Sequence, residues 1–324
     1  MDINTILDSF LSKQILVVGD VMTDQYIHGN VSRMSPEAPV AVVDQESENC
    51  RIGGAGNVAL NLIALGASVK LASVIGQDDT GQQLYSQLQN ANVDTRAIVL
   101  SKERKTTIKT RVISDGKHLL RIDREDQHDL SKEEYLKIQG SILEILNQGV
   151  DGILLEDYNK GVLTKEHIQW LISEANFRQI PIVVDPKKNN FFSYSGCTLF
   201  KPNLKELKEG LQIEFELDEL NNAIEQLHHR INPKFTFVTL SEYGVQLFDG
   251  KNHFHQAAYD RKISDVSGAG DTVIATICLA LISGASTPQI AALANLAGGL
   301  VCESSGVVSI DKDLLRAEAI KHNI

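Results

Sequence analysis

Six short apolar runs recur along the chain, and each is apolar on successive residues rather than on alternate ones. They lie at residues 14–20, 69–76, 152–157, 180–186, 198–203 and 235–240. Such runs are typical of strands that are covered on both faces, and helical spacing follows most of them. The pattern predicts an α/β fold in which helices cover both faces of a mainly parallel sheet.

Two stretches alternate apolar and polar residues instead, at about residues 22–45 and 105–123. Turn residues interrupt them at His28-Gly29-Asn30 and at Asp115-Gly116. Alternation of this kind predicts antiparallel ribbons with one face in water. Because both ribbons interrupt the α/β pattern early, we expect them to form one small sheet, a lid beside the ligand-binding edge of the main sheet. A final helix is predicted over residues 312–322.

Composition narrows the class of protein. The chain has 324 residues and is 43% hydrophobic. Its formal net charge is -11 and it has no run of lysines and arginines, and this charge distribution argues against a nucleic-acid partner. We expect residues 1–324 to form a single domain with the lid inserted. No apolar run is long enough to span a bilayer, no secretory signal is recognisable, and four scattered cysteines without a CxxC pair favour a cytoplasmic location.

Polar residues close several of the predicted strands. They are Gly19-Asp20 with Asp24 nearby, Glu156-Asp157, Asp185-Pro186-Lys187 and Lys201-Pro202-Asn203. Ligands of an open α/β sheet bind beyond the carboxyl ends of its strands. We therefore expect these residues to converge on one crevice.

The segment SGAGD, residues 267–271, runs directly into an apolar stretch. Glycines let the backbone approach an anion, and free N–H groups at a helix N-terminus stabilise negative charge. Beside a phosphate held in this way, Asp271 is a candidate general base. The alternative is a glycine-rich helix start with an ordinary capping aspartate.

A second glycine motif, residues 54–59, fits the dinucleotide pattern GxGxxA, with Asp78 at a suitable distance. That fingerprint requires a strand directly before its first glycine, whereas polar QESENCR stands there, and we expect no strand in it. A phosphate-binding loop of the GxxxxGK[ST] type is also absent.

Five motifs in order resemble the ribokinase-like (pfkB) carbohydrate kinases. They are GDVMTD at residues 19–24, GGAGNVA at 53–59, NLKE at 203–206, TLSEYG at 239–244 and DVSGAGD at 265–271. The resemblance implies a three-layer sandwich, with a central, mainly parallel sheet and a small antiparallel β lid, and an ATP-dependent sugar kinase. Residues 32–43, 110–123, 156–161 and 183–187 further resemble the heptose 7-phosphate kinases of that family. These relatives phosphorylate the anomeric hydroxyl of D-glycero-β-D-manno-heptose 7-phosphate, a precursor of ADP-heptose for lipopolysaccharide.

The resemblance also implies roles for individual residues. Asp271 would deprotonate the acceptor hydroxyl, while the amides of Gly268, Ala269 and Gly270 would hold the charge on the transferred phosphoryl group. The implied sugar-binding residues are Asp24, Gly53, Gly54 and Asn57. The implied nucleotide-binding residues are Asn203, Glu206, Thr239, Ser241 and Gly244, with Glu206 organising Mg²⁺ indirectly. A monovalent cation near residues 304–306 is a further option.

A phosphate already present on the substrate needs cations, and the basic residues on lid and strand-end segments are candidates. We expect Arg111, Lys160 and Lys187 to bind it. The other site residues could instead have purely structural roles. Asp24 could form a turn, Asn57 could cap a helix, and Glu206 could interact with a helix dipole.

Three functions are therefore weighed. The first is a kinase of a sugar phosphate that uses ATP and Mg²⁺ and forms a homodimer through the lid. The second is a kinase of an unphosphorylated sugar or a nucleoside. The third is a sugar-sensing protein without catalysis, against which the retention of Asp271 argues.

Overall fold

The computed structural model describes residues 1–324, and it contains thirteen strands and ten α-helices. The strands are β1 (Gln14–Gly19), β2 (Val21–Met34), β3 (Ala41–Gly54), β4 (Ser68–Gly76), β5 (Asp94–Ser101), β6 (Ile108–Ser114), β7 (Lys117–Arg124), β8 (Gly152–Glu156), β9 (Ile182–Asp185), β10 (Leu199–Phe200), β11 (Phe235–Thr239), β12 (Val245–Phe248) and β13 (His253–Gln256). The helices are α1 (Ile3–Ser9), α2 (Ala55–Ala64), α3 (Asp79–Asn90), α4 (Lys132–Gln148), α5 (Lys165–Phe177), α6 (Leu204–Leu211), α7 (Leu220–Ile231), α8 (Ala269–Ile282), α9 (Thr287–Val301) and α10 (Lys312–Lys321). None of these helices has the length and apolar character needed to cross a bilayer.

Nine strands form the main sheet, in the order β13-β12-β11-β10-β9-β8-β1-β4-β5. All neighbours from β11 to β5 pair in parallel, whereas β12 and β13 pair antiparallel at one edge. Both faces are buried: Ile15 and Val17 of β1 contact one hydrophobic core, and Leu16 and Val18 contact the other. This double burial explains why the strands are apolar on successive residues. The predicted parallel α/β sheet is confirmed.

The remaining four strands form the lid, in the order β3-β2-β6-β7. It consists of two antiparallel hairpins that a parallel pairing of β2 with β6 joins. The predicted turn at Asp115-Gly116 is confirmed, and both residues have positive φ angles of 50° and 72°. The turn predicted at residues 28–30 is wrong, because these residues lie inside β2, where the register shifts between His28 and Gly29. The chain reverses at residues 35–40 instead, and the first hairpin extends to residue 54 rather than 45.

We expected no strand directly before the glycines at residues 53–54, and this prediction is also wrong. QESENCR lies within β3, which leads straight into Gly54. Its residues are polar because they are exposed in the lid, not because the segment is a loop. The strand pairs antiparallel with β2, so it is not the parallel first strand that a dinucleotide-binding unit requires.

One aspartate ties the second hairpin to the body. The carboxylate of Asp78 caps α3 by accepting the N–H of Gly81 at 2.8 Å. It also accepts the N–H and hydroxyl of Thr106, at 3.1 and 2.7 Å, and an N–H of Arg124 at 2.9 Å. Since Thr106 precedes β6 and Arg124 ends β7, both ends of this hairpin are anchored at one point.

Candidate active site

Asp271 lies in the first turn of α8, directly behind the glycine-rich segment. The N-cap residue of this helix is Gly268, whose φ of 80° favours glycine. A Cβ on Gly268 would lie 2.9 Å from Nδ2 of Asn57, so a larger residue would also collide with the opposite wall. The N–H of Ala269 donates to the carbonyl oxygen of Val266 at 3.2 Å, which leaves the N–H groups of Gly268 and Gly270 without an acceptor in the protein, next to the Asp271 carboxylate.

Two donors hold the Asp271 carboxylate. Asn57 donates its Nδ2 to Oδ2 at 2.6 Å, and Tyr158 donates its hydroxyl to Oδ1 at 3.0 Å. Burial raises the pKa of Asp271 to about 6, and these two hydrogen bonds oppose that rise. A carboxylate with a pKa near 6 is suited to general base catalysis near neutral pH.

A second amide fixes the orientation of Asn57. Asn61, one turn further along α2, donates its Nδ2 to the carbonyl oxygen of Asn57 at 2.9 Å and to its Oδ1 at 3.3 Å. Asn61 in turn accepts the Thr272 hydroxyl at 2.9 Å. Asn57 is not the helix cap, since α2 begins after Gly54, and its side chain is directed at Asp271.

Asp24, Gly53 and Arg111 meet where the lid joins the body. Asp24 is buried, and its Oδ1 lies 2.6 Å from Nη1 of Arg111. A Cβ on Gly53 would collide with Oδ2 of Asp24, and a Cβ on Gly54, whose φ is 61°, would collide with the carbonyl oxygen of Asp20. The glycines therefore allow the close contact between β2 and β3 that brings Asp24 to this edge.

Each cation expected to bind the substrate phosphate already has a carboxylate partner. Arg111 pairs with Asp24, Lys160 pairs with Glu125 at 2.6 Å, and Lys187 pairs with Glu206 at 2.6 Å. Sequence reasoning could not foresee these pairs, because the partners are far apart in the chain. The pairing puts Lys187 beside a residue expected to bind nucleotide, not beside Asp24.

The residues expected to bind nucleotide lie together. Asn203 and Glu206 form a reciprocal cap of α6, with hydrogen bonds of 2.8 and 2.9 Å, so Glu206 also fills the helix-terminus role that was its alternative. Asn203 pairs with Thr239 in an isolated bridge. Asn203 and Ser241 both line a cavity of about 650 Å³. Gly244, with a φ of 88°, closes the short turn between Thr239 and β12.

Two acidic side chains that were expected in the crevice had been given no role there. Glu156 ends β8 opposite Asp185 of β9, and Lys201 lies 2.8 Å from Oδ2 of Asp185. Burial raises the pKa of Glu156 well above its ordinary value, with the negative charge of Asp185 as a further cause. Their position at polar strand ends is the signal in the sequence that predicted their place in the crevice, and the structure confirms that Glu156, Asp185 and Lys201 converge there.

Both oxygens of Glu156 and Oδ1 of Asp185 have no partner within the protein. No group of three or more histidine, cysteine or acidic side chains is arranged to hold a metal ion. Mg²⁺ takes oxygen ligands and is usually held by one or two carboxylates together with substrate phosphates. The unpartnered oxygens therefore fit Mg²⁺ bound jointly with a nucleotide.

Comparison with known proteins identifies the family. Residues 12–313 match the pfkB family carbohydrate kinases. The bifunctional protein HldE of Methylobacillus flagellatus is 42% identical over 305 residues, which are 94% of this chain and 62% of that protein. HldE of Sulfurimonas denitrificans is 40% identical over 94% of this chain and 64% of its own length. The chain thus spans less than two thirds of these two relatives.

Solved structures share the fold. Phosphofructokinase-2 from Escherichia coli, in complex with potassium, superimposes with a TM-score of 0.82 at 22% identity, covering 96% of this chain and 100% of that one. Arabidopsis thaliana ribokinase, complexed with ribose and ATP, gives a TM-score of 0.74 at 16% identity, with coverages of 94% and 98%. The ribokinase-like fold is therefore confirmed. With the family match running along nearly the whole chain, this protein belongs to the pfkB family carbohydrate kinases and is an ATP-dependent sugar kinase.

Proposed function

We propose that this kinase acts on a sugar that already carries a phosphate, D-glycero-β-D-manno-heptose 7-phosphate, and phosphorylates its anomeric hydroxyl. The catalytic role in this proposal rests on one observation: the Asp271 carboxylate is buried at the N-terminus of α8 and accepts hydrogen bonds from Asn57 and Tyr158. The segments at residues 32–43 and 156–161 that resemble heptose 7-phosphate kinases support the choice of sugar, as do the HldE relatives.

The reaction is a direct in-line transfer. Asp271 accepts the proton of the acceptor hydroxyl, whose oxygen forms a bond to the γ-phosphorus of ATP while the bond to the bridging oxygen of ADP breaks. The N–H groups of Gly268 and Gly270 stabilise the charge on the transferred group, whereas the N–H of Ala269, which was expected to share this role, donates to the carbonyl oxygen of Val266. Glu156 and Asp185, whose oxygens lack partners within the protein, would hold Mg²⁺ together with the ATP phosphates, and the ion would supply positive charge to those phosphates.

Asp24, Asn57, Gly53 and Gly54 form the sugar side of the site in this proposal. Lys160 and Arg111 bind the substrate phosphate by exchanging part of their contact with Glu125 and Asp24. Because Lys187 pairs with Glu206, we now place it on the nucleotide side, together with Asn203, Thr239, Ser241 and Gly244.

An ADP-release assay over sugar 7-, 6- and 5-phosphates and the corresponding free sugars tests the choice of substrate. We expect the heptose 7-phosphate to give the highest kcat/KM. A free sugar or nucleoside as the preferred acceptor would support the second candidate function. Binding of sugar without turnover of any member of the panel would support the third.

The lid is the proposed dimer interface. Every residue of β7 is exposed, including Leu119, Leu120 and Ile122, and β7 and β3 are the unpaired edges of the lid sheet. An exposed apolar edge strand needs a cover, which the lid of a second copy would supply. We also propose a cytoplasmic site of action, where ATP is available.

A monovalent cation near residues 304–306 is tested by replacing K⁺ with Na⁺ in the same assay. Arg51 of the lid already donates its Nη1 to the carbonyl oxygen of Val307 at 2.6 Å. A positive charge of the protein itself therefore lies against this loop, and we expect the rate to change less than threefold, the change that about 0.6 kcal/mol corresponds to.

A further inference from the structure

Tyr158 contacts the base, although nothing in the proposed function requires a tyrosine. It lies two residues beyond β8, in the loop that also carries Lys160. Its hydroxyl donates to Oδ1 of Asp271 at 3.0 Å. A carboxylate can only accept a hydrogen bond, so the hydroxyl of Tyr158 is the donor in this contact.

The backbone of this loop is held by a buried carboxylate. Asp20, 2% exposed, accepts the N–H groups of Tyr158 and Lys160 at 3.0 Å each and that of Val162 at 3.2 Å. Three hydrogen bonds to one carboxylate leave the loop little freedom. Nζ of Lys187 lies over the Tyr158 ring, 5.4 Å from its centroid. The hydroxyl is thus presented to Asp271 from a fixed position.

We propose that Tyr158 is a positioning residue for the catalytic base: it fixes the Asp271 carboxylate opposite Asn57 and keeps it ionised for proton transfer. The inference rests on the proposed role of Asp271 and not on the identity of the sugar. Without the tyrosine hydroxyl, Asn57 would be the one remaining side-chain donor to the carboxylate.

The charged groups around Asp271 explain why the hydrogen bond from Tyr158 matters for its ionisation. Glu156 at the end of β8 and Asp185 at the end of β9 are acidic, and Lys201 after β10 is the buried cation among them. The charge of Asp185 raises the pKa of Asp271, whereas Lys201 lowers it. Asp271 has no hydrogen bond to any of these three residues, so the hydroxyl of Tyr158 and the amide of Asn57 are what stabilise its charged form directly.

Tyr158→Phe removes the hydroxyl and retains the ring, and Tyr194→Phe is the matched control. Tyr194 is likewise a tyrosine whose hydroxyl donates to a buried carboxylate, that of Asp157, at 2.7 Å. It does not contact Asp271. Thermal unfolding of both variants checks that the fold is retained.

The direct measurement is the titration of the Asp271 carboxyl carbon by ¹³C NMR in metal-free buffer, with Asp271→Asn to assign the signal. A hydrogen bond to a charged group is worth enough to move a midpoint by about one pH unit. We expect that upward shift in Tyr158→Phe and no shift in Tyr194→Phe. An unchanged midpoint in Tyr158→Phe, or equal shifts in both variants, would overturn the proposal.

Kinetics give the second readout. Below the midpoint, kcat/KM of Tyr158→Phe should be about tenfold lower than that of the parent protein, as a one-unit shift requires, while KM for ATP stays unchanged. A loss that is the same at every pH would contradict the role in ionisation. If the parent protein fails to phosphorylate the heptose 7-phosphate, the NMR titration still decides the role of Tyr158, so the two failures remain distinguishable.

Discussion

Burial gives Asp271 the basicity that a proton acceptor needs. Its pKa rises from the ordinary range of an aspartate to about 6, because burial desolvates the charged form. A base must be ionised to act, so activity should follow the fraction of unprotonated Asp271. We predict that kcat/KM for the sugar rises with pH to a midpoint near 6 and levels off above it. A rate that stays constant from pH 5 to pH 7.5 would contradict this assignment.

The ion pairs assign separate roles to two lysines that sequence reasoning had grouped together. Lys160 pairs with Glu125, which follows the lid, whereas Lys187 pairs with Glu206 of α6. We predict that Lys160→Ala raises KM for the sugar phosphate at least tenfold, as the loss of a charged hydrogen bond of about 1.5–3 kcal/mol requires, with little effect on KM for ATP. Lys187→Ala should show the reverse pattern, and identical patterns in the two variants would refute this division of the site.

Asp271, the glycines before it and Asn57 could be identified from the sequence, because they lie in contiguous motifs whose residue types suit phosphate binding. Tyr158 could not, because its importance depends on a contact with a residue 113 positions away. For the same reason, the carboxylate partners of Arg111, Lys160 and Lys187 were not foreseen. Local patterns reveal which chemistry is present, whereas long-range pairing decides which groups meet.

Elements buried on both faces were the easiest to predict. The runs that became β1, β4 and β8 are mainly apolar on successive residues, since each strand contacts both hydrophobic cores. β3 was partly missed because it is polar and mostly exposed along its middle, so it lacks the pattern of a covered strand. Its partner β2 was interrupted in the prediction at Gly29, where glycine marks a shift in register rather than a turn.

The anchoring of the lid depends on Asp78, which caps α3 and accepts hydrogen bonds from Thr106 and Arg124. We predict that Asp78→Ala lowers the free energy of unfolding by about 2 kcal/mol, the upper range for loss of a helix cap. Asp79→Ala is the control. Asp79 is also an acidic residue in the first turn of α3, but it is exposed and makes none of those contacts. Chemical denaturation measures both, and equal effects would show that Asp78 acts only through the charge of the helix terminus.

For the whole molecule, we propose that the exposed edge of the lid is covered by the lid of a second copy. Light scattering at micromolar concentration should show a dimer. Ile122, 56% exposed on β7, is the position at which a lysine should dissociate it. Lys137→Ala on α4, away from the lid, is the control. A monomeric parent protein would exclude the lid as a stable interface.

The central claim is that Asp271 removes the proton of the acceptor hydroxyl at the N-terminus of α8. Asp271→Asn preserves the shape of the side chain and removes its basicity, and comparison of turnover with calorimetric binding of sugar phosphate tests this most directly. The account predicts that kcat falls by about 10²–10⁴ while the affinity for the sugar phosphate changes little. Turnover that matches the parent protein, in a variant that binds normally, would contradict it.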